Sequence, residues 1–227
     1  MMPNEINHSR TRNSSFYDQK YGSGNGWKYN TDKVTRWLQE SIVSRFGLTP
    51  GDRVLELGCG EGHHSALLAS FGLDVYGVDF SEKGIEVAKE RGSGATFIAA
   101  NALDLGRFFD HGYFDLIFVR GMSWYHYELS GISRIGIDID EETGKLFEFL
   151  KPGGTFVLQI KTDFSGNKPT ENVFDCRLSE FKGLFSQFGE IIHTSNTAGA
   201  ELIDDEQAAK IKGGIVMAIR KHGQVLL

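Results

Sequence analysis

One segment of this sequence has residue types and a spacing that suggest a ligand-binding site. It contains three glycines at alternating positions, and a carboxylate inside an apolar run precedes them. Residues 54–62 read Val-Leu-Glu-Leu-Gly-Cys-Gly-Glu-Gly. Glycine permits the backbone angles of a tight strand-to-helix turn, and its missing Cβ lets a ligand lie against the main chain. The segment therefore predicts a strand that breaks into a turn able to cradle a nucleotide-like ligand.

The glycine spacing separates this turn from two phosphate-binding motifs. The dinucleotide fingerprint G-x-G-x-x-G would need Gly or Ala at position 63, which is His63. A P-loop would need Gly-Lys-Ser or Gly-Lys-Thr, and neither follows the turn. The spacing G-x-G-x-G, with Glu56 just before it, therefore favours a different ligand.

The elements that must position this turn alternate between predicted strands and helices, which is the pattern of a doubly wound sheet. The first amphipathic helix is expected to begin at Thr31 as its N-cap and to end at Gly47. Ser81 can cap a later helix, and Glu141 and Lys145 are spaced to pair along another. The predicted strands are residues 53–57, 73–78, 95–99, 114–119, 155–160, 190–194 and 215–220, and further helices are expected at 62–71, 140–150 and 179–188.

The last two predicted strands leave no room for a packed crossover helix that would keep them parallel. We therefore predict an α/β fold with a doubly wound, mostly parallel seven-stranded sheet and an antiparallel last strand. Residues 1–15 are expected to form a flexible N-terminal tail, and 16–227 a single domain in which 16–47 is an N-terminal lid or helical segment.

The order of these motifs resembles class I S-adenosylmethionine-dependent methyltransferases. The matching features are the glycine turn with Glu56, the acidic end of the second strand, the polar end of the third, and Leu-Lys-Pro-Gly-Gly at 150–154. The resemblance spans about residues 16–221. It implies a Rossmann-like methyltransferase fold and S-adenosylmethionine as the cofactor.

The resemblance assigns the methionyl part of the cofactor to the glycine turn, where main-chain amides at a helix N-terminus suit a carboxylate. Glu56 would reach the amino group of the cofactor through water, although a surface carboxylate at a strand end is the alternative. The other contacts of this part are predicted to come from Gly58, Cys59, Gly60 and Gly62.

The ribose and adenine of the cofactor are predicted to contact the next two strand ends. Asp79 can accept hydrogen bonds from both ribose hydroxyls, with a plain helix cap as the alternative. Phe80 is expected on the adenine face, although it could equally be a core residue. Asn101 and Ala102 stand where the family commonly has Asp-Ala, so the Asn101 amide oxygen could accept from the adenine amino group.

An aromatic-rich segment, residues 16–29, precedes the first predicted strand. Many members of the resembled family close such a segment over the cofactor as a lid, and Tyr21 and Trp27 are the best candidates for contact with it. A helix that packs its aromatic side chains on the sheet edge is the alternative. The sequence leaves both open.

The segment after the fourth strand, residues 120–128, is the best place to look for acceptor contacts. His126 titrates near neutrality and is the first candidate for a general base, with Tyr125 and Arg120 orienting the substrate. Arg120 is also a candidate cofactor contact. A structural role for His126 is the alternative.

Several subclasses lack their motifs here. Arg-Gly-Met-Ser at 120–123 is unlike the Asn/Asp-Pro-Pro-aromatic motif of DNA amino-methyltransferases, and neither Cys59 nor Cys176 follows a proline, as a cytosine C5 enzyme requires. Arg120 stands where magnesium-dependent enzymes place a carboxylate. His63 and His64 are adjacent rather than four residues apart, which argues against zinc. No metal is predicted.

Composition sets the remaining limits. The chain has 227 residues, a formal net charge of −6 and only two cysteines. The charge argues against duplex nucleic acid as a partner, and the cysteine count favours a reducing, cytoplasmic setting. No apolar stretch approaches the roughly 20 residues of a spanning helix, so no membrane partner is expected.

These features predict a methyltransferase that moves the sulfonium methyl of S-adenosylmethionine to an O or N atom of a small molecule by in-line displacement. The alternatives are an RNA or protein methyltransferase and a non-catalytic S-adenosylmethionine-binding subunit. A nucleotide-dependent oxidoreductase is more remote. The sequence does not indicate the oligomeric state.

Overall fold

The computed structural model describes residues 14–24, 26, 28–122, 124–129, 136–162, 164, 176–211 and 213–223, with the side chain of residue 126 excepted. The helices are α1 Ser14–Gly22, α2 Thr31–Leu38, α3 His63–Ser70, α4 Glu82–Glu90, α5 Trp124–Tyr127, α6 Ile139–Glu148, α7 Leu178–Phe185 and α8 Asp205–Ala208. A π-helical segment, Gln39–Ser44, prolongs α2, and Ala102–Arg107 form a short 3-10 helix.

Seven strands form one sheet in the order β3-β2-β1-β4-β5-β7-β6. The first five in this order are parallel, and β7 is antiparallel to both β5 and β6. This arrangement confirms the predicted fold class. The strands are β1 Arg53–Leu57, β2 Asp74–Asp79, β3 Thr96–Ala99, β4 Phe114–Arg120, β5 Leu150–Ile160, β6 Gly189–Asn196 and β7 Ile215–Lys221.

Alternating side chains of the central strands fill a core on each face of the sheet, as the period of two in a strand requires. On β5, for example, Phe156 and Leu158 lie in the larger core with α6 and α7, whereas Val157 lies in the core formed with α2 and α3. The central strands are therefore buried on both faces, which explains why they read as continuous apolar runs.

The register of the parallel strands brings their last residues to one edge. Leu57 pairs with Val78 and with Val119, and Val119 pairs with Leu158. The polar residues that follow these positions therefore emerge side by side. Ligands of open parallel sheets bind at this carboxyl edge, where the order of strands reverses between β1 and β4.

Most boundaries lie within three residues of those expected, and two of the differences have a clear physical cause. Asn30, not Thr31, is the N-cap of α2, because its side chain accepts a hydrogen bond from the Lys33 amide at 3.0 Å. Strand β5 begins at Leu150, which pairs with Phe114 before the register shifts, so the Pro-Gly-Gly sequence lies within an irregular stretch of the strand. Ser81 caps α4, and Lys145 pairs with Glu141 at 2.8 Å, both as predicted.

The predicted flexible tail lies almost wholly outside the described residues, which begin at residue 14. Helix α1 begins at Ser14, one residue before the predicted end of the flexible tail, and it is separate from α2. Among the helices of the described ranges, none is long and apolar enough to cross a membrane.

Candidate functional site

The glycine turn between β1 and α3 adopts a backbone that other residues rarely tolerate. Gly58, Gly60 and Gly62 have φ angles of 74°, 52° and 69°. The amides of Gly58 and Cys59 both donate to the Val78 carbonyl, at 2.8 and 3.2 Å, and so tie the turn to β2. Positive φ explains why glycine occupies each of the three positions.

Asp79 ends β2 and holds the neighbouring main chain. Its Oδ2 accepts from the Gly60 amide at 2.8 Å, and its Oδ1 accepts from the Ser81 amide at 2.9 Å. Burial raises the pKa of this carboxyl. Because the Ser81 hydroxyl accepts from the Gly84 amide and caps α4, Asp79 is not the helix cap that was the alternative. Each carboxylate oxygen keeps a further lone pair for a ligand hydroxyl.

The residues next to Asp79 form the predicted adenine side of the site. The Phe80 side chain is 38% exposed and packs edge-on against Tyr17, so it is not a core residue. Asn101 follows β3, and its side-chain oxygen accepts from the Leu103 amide at 3.1 Å. Ala102 then opens the 3-10 helix. The adenine contacts of these three residues stay predictions.

Glu56 is fully buried at the opposite side of the glycine turn, which rules out a surface carboxylate. The Ser65 hydroxyl donates to its Oε2 at 2.5 Å, and His64 Nδ1 lies 3.7 Å from its Oε1. Burial raises the pKa of Glu56 to about 7 and lowers the pKa of His64 to about 3. Despite the short distance, His64 is therefore neutral at pH 7, and the two groups do not form an ion pair.

Arg120 ends β4 and lies in a polar cluster that the sequence did not reveal. Its Nε donates to Gln159 Oε1 at 3.1 Å, and its Nη1 donates to the Tyr29 hydroxyl at 2.9 Å. The Tyr29 ring stacks on His63, with 4.7 Å between the ring centres. Cross-strand pairing of Arg120 with Gln159 could have identified the glutamine, but no local pattern points to Tyr29.

Helix α1 packs on the glycine turn and α4, not on the sheet edge. Asp18 Oδ1 accepts from the Ser81 hydroxyl at 2.6 Å and from the Lys83 amide at 3.2 Å. Tyr21 is buried, and its hydroxyl would lie 2.6 Å from a Cβ added to Gly60. Burial raises the pKa of Tyr21, so its hydroxyl stays protonated. The segment thus covers the turn, as a lid would, while motion of the segment stays a prediction.

The residues that were predicted to contact the methyl acceptor differ in where the structure places them. Tyr125 is fully buried, and its hydroxyl lies 3.2 Å from the Thr143 hydroxyl inside the core. The role of Tyr125 in orienting a substrate stays a prediction, and this placement gives it no support, because the hydroxyl is buried and already has a partner. Trp27 and the side chain of His126 lie outside the described residues, although the backbone of His126 belongs to α5.

The groups along this edge fit S-adenosylmethionine. Buried carboxylates lie at or next to the ends of β1 and β2, where they can accept from an amino group and from ribose hydroxyls, and the glycine turn lies between them. Around Gly58 the main chain is open, since an added Cβ there would meet only the Arg120 carbonyl oxygen, at 3.5 Å. Close approach of a ligand to the backbone is the reason such turns use glycine.

Comparisons with known proteins point the same way. A family model described as a methyltransferase domain matches residues 48–212. An uncharacterized methyltransferase of Synechocystis is 31% identical over 180 residues, which cover 79% of this chain and 74% of that protein. Several other curated relatives match over half or less of their own length.

Two solved structures share the fold. A TehB-like S-adenosylmethionine-dependent methyltransferase from Corynebacterium glutamicum has a TM-score of 0.60 at 18% identity, covering 92% of this chain and 97% of that one. Magnesium protoporphyrin IX methyltransferase from Synechocystis, with S-adenosylmethionine bound, has a TM-score of 0.58 at 21% identity, covering 91% of each chain.

Proposed function

Because this chain belongs to the methyltransferase domain family and is a class I enzyme that uses S-adenosylmethionine, we propose that it methylates an O or N atom of a small molecule. The observation that carries the proposal is the pair of buried carboxylates, Glu56 and Asp79, on either side of a glycine turn with positive φ. When bound, S-adenosylmethionine would supply an electrophilic methyl carbon for in-line attack by the acceptor atom, with the sulfur leaving as the thioether of S-adenosylhomocysteine.

The residues of the chain position this reaction rather than form a covalent intermediate. Asp79 would hold the ribose hydroxyls, Glu56 the amino group, and the amides of the glycine turn the carboxylate of the cofactor. Tyr21 covers the turn and restricts water, which favours reaction with the intended acceptor. Holding donor and acceptor in line supplies much of the rate in such a transfer.

Two observations support a small-molecule acceptor. The formal net charge of −6 provides no general attraction for nucleic acid. One protein of the same fold is named as a methyltransferase of magnesium protoporphyrin IX, a small molecule. Histidine is the side-chain type suited to proton transfer near neutral pH, so His126 remains the proposed general base for an acceptor that must lose a proton.

The cofactor site is tested by calorimetry with S-adenosylhomocysteine. Asp79→Ala removes a charge-assisted acceptor, and Gly60→Val places a branched side chain at φ 52° against the Tyr21 hydroxyl. We expect each change to weaken binding about 100-fold or more. Asp104→Ala and Gly106→Val are controls, because both positions are exposed and a Cβ on Gly106 meets nothing within 4 Å. Undiminished binding in Asp79→Ala would exclude this site.

The acceptor class is tested separately with methyl-labelled S-adenosylmethionine. Pooled metabolites, tRNA and cell protein are each incubated with the enzyme. Label in the metabolite pool supports the proposal, whereas label in a macromolecule alone rejects the small-molecule acceptor without affecting the cofactor assignment.

A further inference from the structure

Arg120 is a half-buried cation that is held by neutral groups. The Gln159 amide oxygen and the Tyr29 hydroxyl accept two of its hydrogen bonds, at 3.1 and 2.9 Å. Its guanidinium carbon also lies 5.2 Å from the centre of the Tyr29 ring, within the range of a cation–π contact. These three contacts fix the plane of the guanidinium without neutralising its charge.

The positive charge of Arg120 has no paired carboxylate within the part of the chain that the structure describes. Glu56 is the acidic neighbour, and the charge of Arg120 lowers its pKa, but its oxygens face Ser65 and His64, and burial outweighs this effect and raises the pKa to about 7. A guanidinium has five N–H donors, of which two are engaged here. Among the described residues, the other three donors, which include both N–H groups of Nη2, have no hydrogen-bond partner, so this edge of the planar guanidinium is open to an anion.

The order of strands places the Arg120 guanidinium next to the predicted methionyl end of the cofactor site. Neighbouring strands lie about 4.8 Å apart. Asn101 follows β3, Asp79 ends β2 and the glycine turn follows β1, so the adenine, ribose and methionyl contacts occupy consecutive strands. Arg120 and Gln159 lie on β4 and β5, the next two strands in the same direction. A group bound there would lie on the far side of the methionyl end, where an acceptor must approach.

We propose that Arg120, fixed by Gln159 and Tyr29, binds a carboxylate group on the methyl acceptor, so that the substrate is a small organic acid. The inference rests on the proposed function and adds the chemical class of the acceptor. A planar guanidinium matches the geometry of a carboxylate. The single positive charge of Arg120 matches a monoanion better than a dianionic phosphate.

The test uses the full chain saturated with S-adenosylhomocysteine, so that the donor part of the site is filled. Acetate, benzoate and indole-3-acetate are titrated by calorimetry or NMR, each against its neutral amide. We expect at least one acid to bind at least tenfold more tightly than its amide, because charge-assisted hydrogen bonds exceed neutral ones. Arg120→Gln should remove this preference, and Arg120→Lys should retain part of it.

The controls separate this proposal from the cofactor assignment. Arg107→Gln changes an exposed arginine of the 3-10 helix and should behave as the wild type. Affinity for S-adenosylhomocysteine should stay within threefold in Arg107→Gln, and each Arg120 variant is titrated at a concentration of S-adenosylhomocysteine that saturates it, with thermal melting to confirm folding. Failure of the wild type to bind S-adenosylhomocysteine would instead refute the proposed function.

Three results would overturn the acid-binding role. The first is no preference for any acid in the wild type, and the second is a preference that survives in Arg120→Gln. The third is a loss of S-adenosylhomocysteine affinity in Arg120→Gln with acid binding intact, which would assign Arg120 to the carboxylate of the cofactor.

Discussion

At the scale of single residues, Glu56 and His64 are held away from their charged states by the same cause, their burial. The pKa of Glu56 rises from 4.5 to about 7, and that of His64 falls from 6.5 to about 3. Between pH 4.5 and 7 the folded protein binds more protons at Glu56 than the unfolded chain, so this group lowers stability as pH rises. Between pH 3 and 6.5 the unfolded chain binds more protons at His64, so this group raises stability as pH rises.

Because Glu56 and His64 change stability in opposite directions as pH rises, variants of the two residues should differ in their pH dependence of stability. The His64→Gln variant loses the His64 contribution to the pH dependence of stability and keeps that of Glu56. The free energy of unfolding of this variant should therefore fall by about 3 kcal/mol between pH 4.5 and 8. Glu56→Gln should show the reverse, with stability that increases up to about pH 6.5. Denaturant unfolding across this range measures both.

Glu190→Gln, which changes an exposed carboxylate, serves as the control and should keep the wild-type profile. Parallel pH profiles in the two site variants would contradict the assigned protonation states.

At the scale of elements, α1 depends on its contacts with the rest of the domain. A nine-residue helix is marginal in isolation, so packing must hold it in place. Asp18 provides two hydrogen bonds to the start of α4, and Tyr21 packs against Gly60 and Gly84. Since these contacts touch the same turn that is assigned to the cofactor, the docking of α1 and cofactor binding should be coupled.

Removal of the Asp18 side chain tests this coupling. Asp18→Ala should increase the dissociation rate of S-adenosylhomocysteine several-fold and speed proteolysis before residue 26, with a change in global stability of about 1 kcal/mol or less. Stopped-flow fluorescence and limited proteolysis give the two readouts. Gln19→Ala, an exposed neighbour on α1, is the matched control. Equal dissociation rates in both variants would show that α1 is not coupled to the cofactor.

At the scale of the whole molecule, the sheet and its two cores should unfold as one unit, whereas α1 opens locally. Residues of β1, β4 and β5 are buried on both faces, and α1 buries a single residue, Tyr21. Protection from amide exchange follows such differences in burial and packing.

Hydrogen exchange read by mass spectrometry can check this division. Amides of β1, β4 and β5 should exchange most slowly, and those of α1 should exchange early. S-adenosylhomocysteine should slow exchange in α1, in the glycine turn and at the start of α4, while α8 serves as the internal control. Protection that increases equally in α8 would indicate a global rather than a local effect.

The fold was predictable because its signals are local. Apolar runs separated by glycine turns and amphipathic helices identify the strands and their alternation, whereas the direction of β7 was supported by the family resemblance, because residues 197–214 and the short helix α8 connect it to β6. The first residue of β5 was harder to predict. Pro152 and the two glycines after it suggest a turn, but pairing of Leu150 with Phe114 extends the strand.

The site was predictable only in part, because local sequence signals place only some of its residues. Glu56, Asp79 and the three glycines lie within or directly after strands, so sequence order alone places them at one edge. Tyr29 and Asp18 reach this edge from separate segments, and Tyr125 faces the core although it follows the correct strand. Local sequence does not encode which way such side chains point.

By itself, the sequence determined the sheet, the glycine turn with its two carboxylates, and the resemblance that named the methyl donor. The tertiary structure decided that burial raises the pKa of Glu56 and lowers that of His64, that α1 covers the turn, and that Arg120 is held by the neutral side chains of Gln159 and Tyr29. Backbone angles and hydrophobic periodicity are local properties, whereas burial and charge balance depend on residues that are distant in sequence and meet only in the folded chain.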